Sequence, residues 1–395
     1  MKKIRVFTAF SGYDSQMMAL RRLQKDFPGV EFDLVGWCEI DTDAINSHNA
    51  VFPEYSSRHY PDIAKVNWNE VPDFDWFTYS SCCQDVSSTG TMGGLEEGSG
   101  TRSALIWEVL KCIQIKRPQI AILENVSNLM SKTFMPSFIK WRRSVDSVGY
   151  KSEAMIMNAC DFDVPQNRKR VFMLSFRNDI KSNFTFPEPI EPDRCFEDFL
   201  ETNAEEKYYL SSTEVRKFVL AIFGKAIYST TYSNHLYGGH YIKRMPSITC
   251  HHESKSGDRS VIPTIVASGY KHYRYKNCYT QGDYPKCRVL EVWSGGSDVP
   301  IYNDIIDNAP SSNMDIRNYS LDVIRDVIRS LKEGEYIRLR LMTPKEMLRF
   351  MGVDDADIDL MLKKSGKRDS YLYKQAGNSI VVDVLYYIFK NLLIN

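Results

Sequence analysis

The 395-residue sequence has no net charge, no long apolar run and no cysteine spacing that indicates pairing. Without a stretch of about 18 apolar residues, we expect neither a membrane span nor a membrane partner. The basic residues at the start are not followed by an apolar stretch long enough for a signal peptide. Nine cysteines without paired spacing are typical of a reducing compartment, which predicts a cytoplasmic protein. Because 50 Lys and Arg balance 50 Asp and Glu, any nucleic-acid-binding surface must be local.

Ordinary globular features are present instead. Hydrophobic residues make up 43% and charged residues 25%, and the length suits two domains or one with a large insertion. Strand-like and helix-like patterns alternate through the first part of the chain, which predicts an α/β fold with a parallel sheet. The strand-like runs are Lys3–Phe10, Phe32–Cys38, Asp75–Ser81 and Gln119–Leu123, and the helical ones start near Met17 and cover Ala104–Ile115.

Two further strand-like runs, Ala154–Asn158 and Val171–Phe176, are separated by a link too short for a crossover helix. They are therefore predicted to be antiparallel neighbours. If the first is parallel to the other strands, the link lies at the carboxyl edge of the sheet. That link contains Arg168 and Arg170.

The composition changes after Asn183, where three prolines precede an acidic stretch. We predict a first domain at residues 1–187, a smaller, irregular, β-rich domain at residues 188–337, and a return to the first domain at residues 338–395. Lys225–Pro300 carries ten Lys or Arg against five Asp or Glu, so it is locally basic. A helical pattern, Ile380–Leu393, lies near the end of the sequence.

Reactive side chains follow two of the predicted strands. Cys83 comes after the run that ends at Ser81, and Glu124 comes after Leu123. In a parallel sheet both would lie at the carboxyl edge, where chemistry collects. A nucleophile beside an acid is one interpretation; a buried, inert thiol, or a redox pair with Cys82, remains open for the cysteine.

Three polar segments also have a structural and a functional interpretation. The turn Phe10–Ser15 has one glycine where dinucleotide folds use three. Glu39, however, lies 27 positions beyond Gly12 at the end of the second predicted strand, and it resembles the acidic residue that holds ribose hydroxyls in nucleotide-binding sheets. Gln166–Arg170 could be a solvated charge run. Gly377–Ser379 could be a turn with a helix cap.

Taken together in order, these segments resemble the cytosine-5 DNA methyltransferases, of the prokaryotic or phage type. The resemblance covers about 370 residues and includes Ser81–Gln84 at the family's Pro-Cys-Gln and Glu124–Val126 at its Glu-Asn-Val. The other matching segments are Phe10–Gly12, Cys38–Asp41, Asp62–Ile63, Gln166–Arg170, Leu341–Gly352 and Gln375–Val382. Two departures stand out: Asp14–Ser15 replaces a glycine pair, and Cys82 replaces the proline before the nucleophile.

The resemblance implies a Rossmann-like S-adenosylmethionine-dependent methyltransferase sheet and a target-recognition domain. It implies that Cys83 adds to C6 of a cytosine flipped out of its duplex, that Glu124 acts at N3, that Arg170 holds O2 and that Arg168 supports the thiol region. S-adenosylmethionine would supply the methyl group, leaving S-adenosylhomocysteine. The implied cofactor contacts are Phe10, Ser11, Gly12, Glu39, Ile40, Asp62, Ile63, Asn378 and Ser379.

The expected macromolecular partner is double-stranded DNA. Gln84, Ser87 and Arg102, in and beside a loop that would close over the base, are expected DNA contacts. In Tyr270–Lys276, strand alternation would place His272, Arg274 and Lys276 on one face, and Lys271 is a further expected contact. A solvated strand face without DNA contacts remains the alternative. Cys250, His251, His252, Cys278 and Cys287 match no recognised zinc spacing, so no metal is expected.

The predicted activity is therefore DNA methylation by base flipping, in a restriction-modification system or as a solitary or phage enzyme. A cognate restriction endonuclease would be a functional, not a physical, partner, and a monomer is expected. Two alternatives stay open: a transfer RNA cytosine-5 methyltransferase, and a catalytically silent DNA-binding homologue.

Overall fold

A computed structural model describes residues 1–80, 105–213, 335–366 and 368–394, with short pieces at 215, 240–243, 251–252, 259–260, 262–263, 288–294, 328–329 and 331. Its centre is a seven-stranded sheet. The strands up to residue 177 are β1 (Lys2–Ala9), β2 (Val30–Cys38), β3 (His59–Tyr60), β4 (Trp76–Ser80), β5 (Ile120–Val126), β6 (Tyr150–Asn158), β7 (Gln166–Asn167) and β8 (Lys169–Arg177). The helices between them are α1 (Ser15–Asp26), α2 (Thr42–Val51), α3 (Ile106–Lys116) and α4 (Met135–Ser147).

The order of the strands creates a crevice at one edge of the sheet. That order is β3-β2-β1-β4-β5-β8-β6, and every neighbouring pair is parallel except those made by β8. From β1 the chain continues to β2 and β3 on one side of the sheet, whereas from β4 it continues to β5, β6 and β8 on the other side. Ligands of such sheets bind where the direction changes, outside the carboxyl ends of the strands. The crevice between β1 and β4 is therefore the expected position of a site.

Two apolar layers cover the sheet, one on each face. Side chains alternate along β1, so that Ile4 and Val6 join one core cluster and Phe7 and Ala9 join the other. Buried residues of α1 lie in the first cluster, and those of α3 and α4 lie in the second. Parallel strands buried on both faces read as continuous apolar runs, which is the pattern of the sequence.

The structure confirms the sequence-based strands and helices, with shifted ends. β6 and β8 are antiparallel, and β6 is parallel to β5, so the link between them lies at the carboxyl edge. The helix expected at Ala104–Ile115 is observed at Ile106–Lys116, and it ends at Arg117, whose φ is 52°, ahead of Pro118. A residue before proline avoids the helical region, which accounts for that end.

One expected strand end is wrong. β5 does not stop at Leu123 but runs to Val126, because β8 pairs with it over its whole length. Glu124 and Asn125 are therefore strand residues opposite Phe172 and Val171. Their side chains are held more rigidly than those of a following loop would be.

Short strands are observed in the predicted β-rich domain and across its predicted end. They are β9 (His240–Lys243), β10 (His251–His252), β11 (Arg259–Ser260), β12 (Ile262–Pro263), β13 (Arg288–Ser294) and β14 (Glu335–Leu341). β14, β13 and β9 form one sheet, and β12 pairs with β7 next to the arginine segment. Earlier in the same predicted domain, ahead of β9, Phe199 stacks on Phe350 with ring centroids 4.8 Å apart. The domain boundaries stay a prediction.

Four helices follow β14 and return to the main core. They are α5 (Pro344–Arg349), α6 (Asp355–Ser365), α7 (Asp369–Asn378) and α8 (Val382–Ile394). By length and composition alone, Asp369–Ile394 could span a membrane, although Leu385, Ile388 and Phe389 are buried in the core. Core helices of soluble proteins pass the same test, so this is weak evidence for a span.

Candidate active site

Glu124 is held from both neighbouring strands. Ser80 is its register partner on β4, and the Ser80 hydroxyl donates to Oε2 of Glu124 at 2.9 Å. On the other side Arg170 pairs with Val126, which lies on the same face of β5 as Glu124. The Arg170 Nε lies 3.2 Å from Oε1. Among the described residues, Oε2 therefore accepts a hydrogen bond from Ser80, and Oε1 forms an ion pair with Arg170.

Burial changes the acidity of Glu124. Only 8% of the residue is exposed, and this burial raises the pKa of its carboxyl group above the usual value. Arg170, Arg168 and the Ser80 hydrogen bond lower the pKa, but they do not cancel the effect of burial. A carboxyl group in this position takes up a proton more readily than a solvated one, as a proton donor requires.

Arg168 connects the segment between β7 and β8 to the last helices. It is nearly buried, and its Nη2 donates to the carbonyl oxygens of Gly377 at 2.9 Å and Ser379 at 2.6 Å. The Tyr13 hydroxyl donates to Oγ of Ser379 at 2.6 Å. The turn between α7 and α8 is thus held beside the first turn of the chain, which no local pattern in the sequence indicates.

The first turn curls tightly after β1. Phe10 and Gly12 have φ values of 55° and 59°, a region that costs a residue like Phe10 free energy and that occurs often at functional sites. The Gly12 N–H donates to Oε2 of Glu39 at 2.8 Å. The N–H groups of Ile40 and Asp41 donate to Oε1, each at 2.8 Å. Glu39 therefore presents a carboxylate beside the first turn, at the carboxyl end of β2.

Asp14, one of the two departures from the family pattern, points into the protein. Its carboxylate is fully buried, accepts hydrogen bonds from the Thr8 hydroxyl at 2.8 Å and the Met17 N–H at 3.0 Å, and caps α1. Nε2 of His48 lies 3.5 Å from it, and the His48 ring stacks on Trp37 at 3.6 Å. These buried contacts of Asp14 therefore restrict the conformation of the first turn.

The other predicted cofactor contacts differ in exposure. Ile40 is 72% exposed, an unusual state for an apolar side chain at the rim of a crevice. Asp62 is partly buried and accepts from the Ala64 N–H, whereas the Ile63 side chain is buried in the core, so only its backbone could reach a ligand. Asn378 is exposed at the end of α7. Ser11 is nearly buried and donates to the Cys38 carbonyl oxygen.

The remaining predicted residues lie outside the described part of the chain. They are Cys82, Cys83, Gln84, Ser87, Arg102, Lys271, Arg274 and Lys276. Within the described residues, no group of three or more His, Cys, Asp or Glu could hold a metal ion.

Sequence reasoning missed three residues of this site. The sequence indicates only a strand position for Ser80 and a turn position for Tyr13, and no local pattern marks Lys374. Lys374 forms an ion pair with Asp41, which fixes α7 against the start of α2. The register of β4 against β5 could have identified Ser80; the other two contacts join segments more than 300 residues apart.

Comparison with known proteins gives one consistent result. A family model described as C-5 cytosine-specific DNA methylase matches residues 4–393. The type II methyltransferase M2.ScrFI of Lactococcus lactis subsp. cremoris is 28% identical, with 98% of this chain and 99% of that protein aligned. The orphan methyltransferase M.SPRI of Bacillus phage SPR is 26% identical, with 100% and 98% aligned. The S. pombe Dnmt2 methyltransferase structure shares the Rossmann-like fold, with a TM-score of 0.60 at 18% identity, over 99% of this chain and 98% of that one.

Proposed function

This chain belongs to the C-5 cytosine-specific DNA methylase family, and from that premise we propose that it methylates a flipped cytosine within a specific duplex DNA sequence. The observation that carries the proposal is the nearly buried Glu124 carboxyl group, placed between Ser80 and Arg170 at the switch-point edge of the sheet. A readily protonated acid at that position suits a pyrimidine ring nitrogen.

The reaction needs a nucleophile because C5 of cytosine does not take a methyl group unaided. The Cys83 thiolate adds to C6, the electron pair of the C5–C6 double bond forms a C4–C5 double bond, and the C4–N3 pair takes a proton from Glu124 at N3. The C4–C5 pair then forms the new bond to the methyl group, which S-adenosylmethionine supplies and which leaves S-adenosylhomocysteine behind. N3 returns its proton to Glu124, a base such as water removes the C5 proton, and the electron pair of that C–H bond restores the C5–C6 double bond as the thiolate departs. Cys83 follows Ser80 by three residues, so the covalent chain limits their Cα separation to about 11 Å.

The arginines support this chemistry in different ways. Arg170, whose Nε lies 3.2 Å from Oε1 of Glu124, would hold the base oxygen O2 beside the acid. Arg168 ties the reacting edge to the turn at Gly377–Ser379. A base inside a duplex cannot reach this edge, so it must leave the stack at a cost of a few kcal/mol.

The residues around the first turn fit S-adenosylmethionine, which supplies the methyl group when bound. Glu39 offers carboxylate oxygens to ribose hydroxyls, which are hydrogen-bond donors. Ile40 and Phe10 offer apolar surface at the rim, and Gly12 allows close approach of a ligand because it has no Cβ. Phe10, Ser11, Gly12, Glu39, Ile40, Asp62, Ile63, Asn378 and Ser379 remain the proposed contacts.

Duplex DNA is the substrate that the comparisons favour. The matching family is described by DNA methylation, and the two relatives are a type II and an orphan methyltransferase, so both a restriction-modification role and a solitary one agree with them. We propose a monomer that acts in the cytoplasm, with any cognate endonuclease as a functional partner only. Gln84, Ser87, Arg102, Lys271, Arg274 and Lys276 are the proposed DNA contacts.

Covalent trapping on duplex DNA containing 5-fluorocytosine tests the proposal. With S-adenosylmethionine, the wild-type protein is expected to form a denaturation-resistant adduct, because fluorine at C5 blocks the final elimination. Cys83→Ala should abolish the adduct and Cys82→Ala should retain it. The opposite pattern would show that Cys82, and not Cys83, is the nucleophile. An adduct that forms with 5-fluorocytosine transfer RNA and not with any DNA library would favour the RNA alternative, and no adduct on either would favour the silent homologue.

A further inference from the structure

The contact between Ser80 and Glu124 has no role in the mechanism above. Ser80 ends β4 and lies in register beside Glu124 on β5. Neighbouring residues of parallel strands in register direct their side chains to the same face, so the contact follows from the pairing of the two strands. The hydroxyl donates to Oε2 at 2.9 Å, whereas Arg170 lies at Oε1.

These two contacts constrain the carboxyl group in two ways. A glutamate side chain has three rotatable bonds, and a contact from each neighbouring strand restricts the last of them. The contacts are also unequal, because Arg170 forms an ion pair and Ser80 forms a hydrogen bond. The Ser80 hydroxyl rotates freely, so it can donate to Oε2 in the ionised and in the protonated form of Glu124.

We propose that Ser80 is a positioning residue for the methyl-transfer reaction, which holds Oε2 of Glu124 towards the cytosine ring while the proton moves to N3. The inference rests on the function proposed above for Glu124. In this proposal Ser80 orients the Glu124 carboxyl group, and the positive charge of Arg170 favours the ionised form of the same group.

Loss of the hydroxyl should change the acidity of Glu124 in a known direction. The groups facing Glu124 among the described residues are Ser80 on β4, Arg170 on β8 and Arg168 before β8. All three lower its pKa, so Ser80→Ala should raise it. A hydroxyl donor favours the ionised carboxylate over the protonated form, and its loss corresponds to a shift of about 0.5–1 pH unit. Because the reaction uses protonated Glu124, the alkaline limb of the rate profile should move to higher pH.

The experiment combines a titration with kinetics. The carboxyl ¹³C resonance of Glu124, assigned by its loss in Glu124→Gln, is followed against pH in the full chain. Ser80→Ala should raise the midpoint and lower kcat about three- to tenfold, with an unchanged KM for S-adenosylmethionine. Ser80→Thr retains the hydroxyl and should keep the wild-type midpoint. Ser80→Cys, with a weaker donor of similar size, should give an intermediate shift and provides the same test if Ser80→Ala does not fold.

Thr78 offers a matched control on the same strand. It lies two residues earlier on the same face of β4, and its buried hydroxyl has no hydrogen-bond partner within the described residues. Thr78→Val should leave the midpoint and the kinetics unchanged. An unmoved midpoint in Ser80→Ala, or an equal shift in Thr78→Val, would overturn the inference. The titration does not require methyl transfer, so an inactive wild-type protein would reject the proposed function separately.

Discussion

Breaking the buried ion pair between Arg340 and Glu346 by removing one partner should cost much more stability than breaking a pair on the surface. Both side chains are fully buried. The guanidinium donates from Nη1 to Oε2 and from Nη2 to Oε1 of Glu346, each at 2.8 Å. Glu346 also accepts the backbone N–H groups of Thr343 at 2.8 Å and Glu201 at 2.9 Å. The carboxylate therefore joins β14, the start of α5 and the segment at residue 201.

Replacing Arg340 by Met would leave the Glu346 carboxylate buried without its counter-ion. Removal of one partner of such a pair costs about 3–5 kcal/mol of the free energy of unfolding. The double variant Arg340→Met/Glu346→Gln no longer buries a charge, and its amide oxygen can still accept from a backbone N–H. We expect it to be more stable than Arg340→Met alone, with a coupling of about 2 kcal/mol or more.

Urea unfolding followed by circular dichroism measures these free energies, and the m-value shows whether the same transition is observed in each variant. Lys345→Met is the matched control on the residue next to Glu346, because the partners of Lys345, Asp359 and Asp355, are 64% and 50% exposed. That variant should cost less than about 1 kcal/mol. If Arg340→Met cost no more than Lys345→Met, or if the double variant were the least stable of the set, the argument from burial would be refuted.

Three further predictions concern the site and its support. Glu124→Gln should lower kcat about 10²–10³-fold, measured by transfer of labelled methyl groups, because the amide cannot supply the proton to N3; a loss smaller than tenfold would exclude it as the acid. Gly352→Ala should cost about 2–4 kcal/mol in thermal or urea unfolding, because φ is +75° and a Cβ would lie 2.0 Å from Oδ2 of Asp383; a neutral effect would contradict the left-handed conformation of Gly352 and its close packing against Asp383. Tyr13→Phe should weaken S-adenosylmethionine binding about three- to tenfold in calorimetry, since the hydrogen bond to Ser379 is lost; unchanged affinity would separate this contact from the cofactor site.

The local patterns of the sequence predicted much of the fold. Apolar runs and helical periods located β1, α1, β2, α3 and β5 to within a few residues, because burial on both faces of a sheet imposes a repeat that adjacent residues reveal. The short link before Val171 correctly required an antiparallel pair. The order of motifs along the chain indicated the family, which the family match over residues 4–393 confirms.

The contacts within the site were decided by the tertiary structure. The extension of β5 to Val126 depends on pairing with β8, and the Ser80–Glu124 contact depends on a register between strands 44 residues apart. The contact of Arg168 with the Ser379 carbonyl spans 211 residues. Asp14 replaces a family glycine, yet it points inward to Thr8 and caps α1.

There is a physical reason why local patterns predict the strands and helices but not the contacts between them. Secondary structure and burial follow from the period of neighbouring side chains, and that period can be read along the chain. Strand register, ion pairs and hydrogen bonds between distant segments follow from how all the elements pack at once, because each contact is formed only when every element between its partners is in place. The sequence alone therefore determined the sheet, the family and the candidate side chains, whereas only the packed structure decided which atoms hold Glu124 and the first turn.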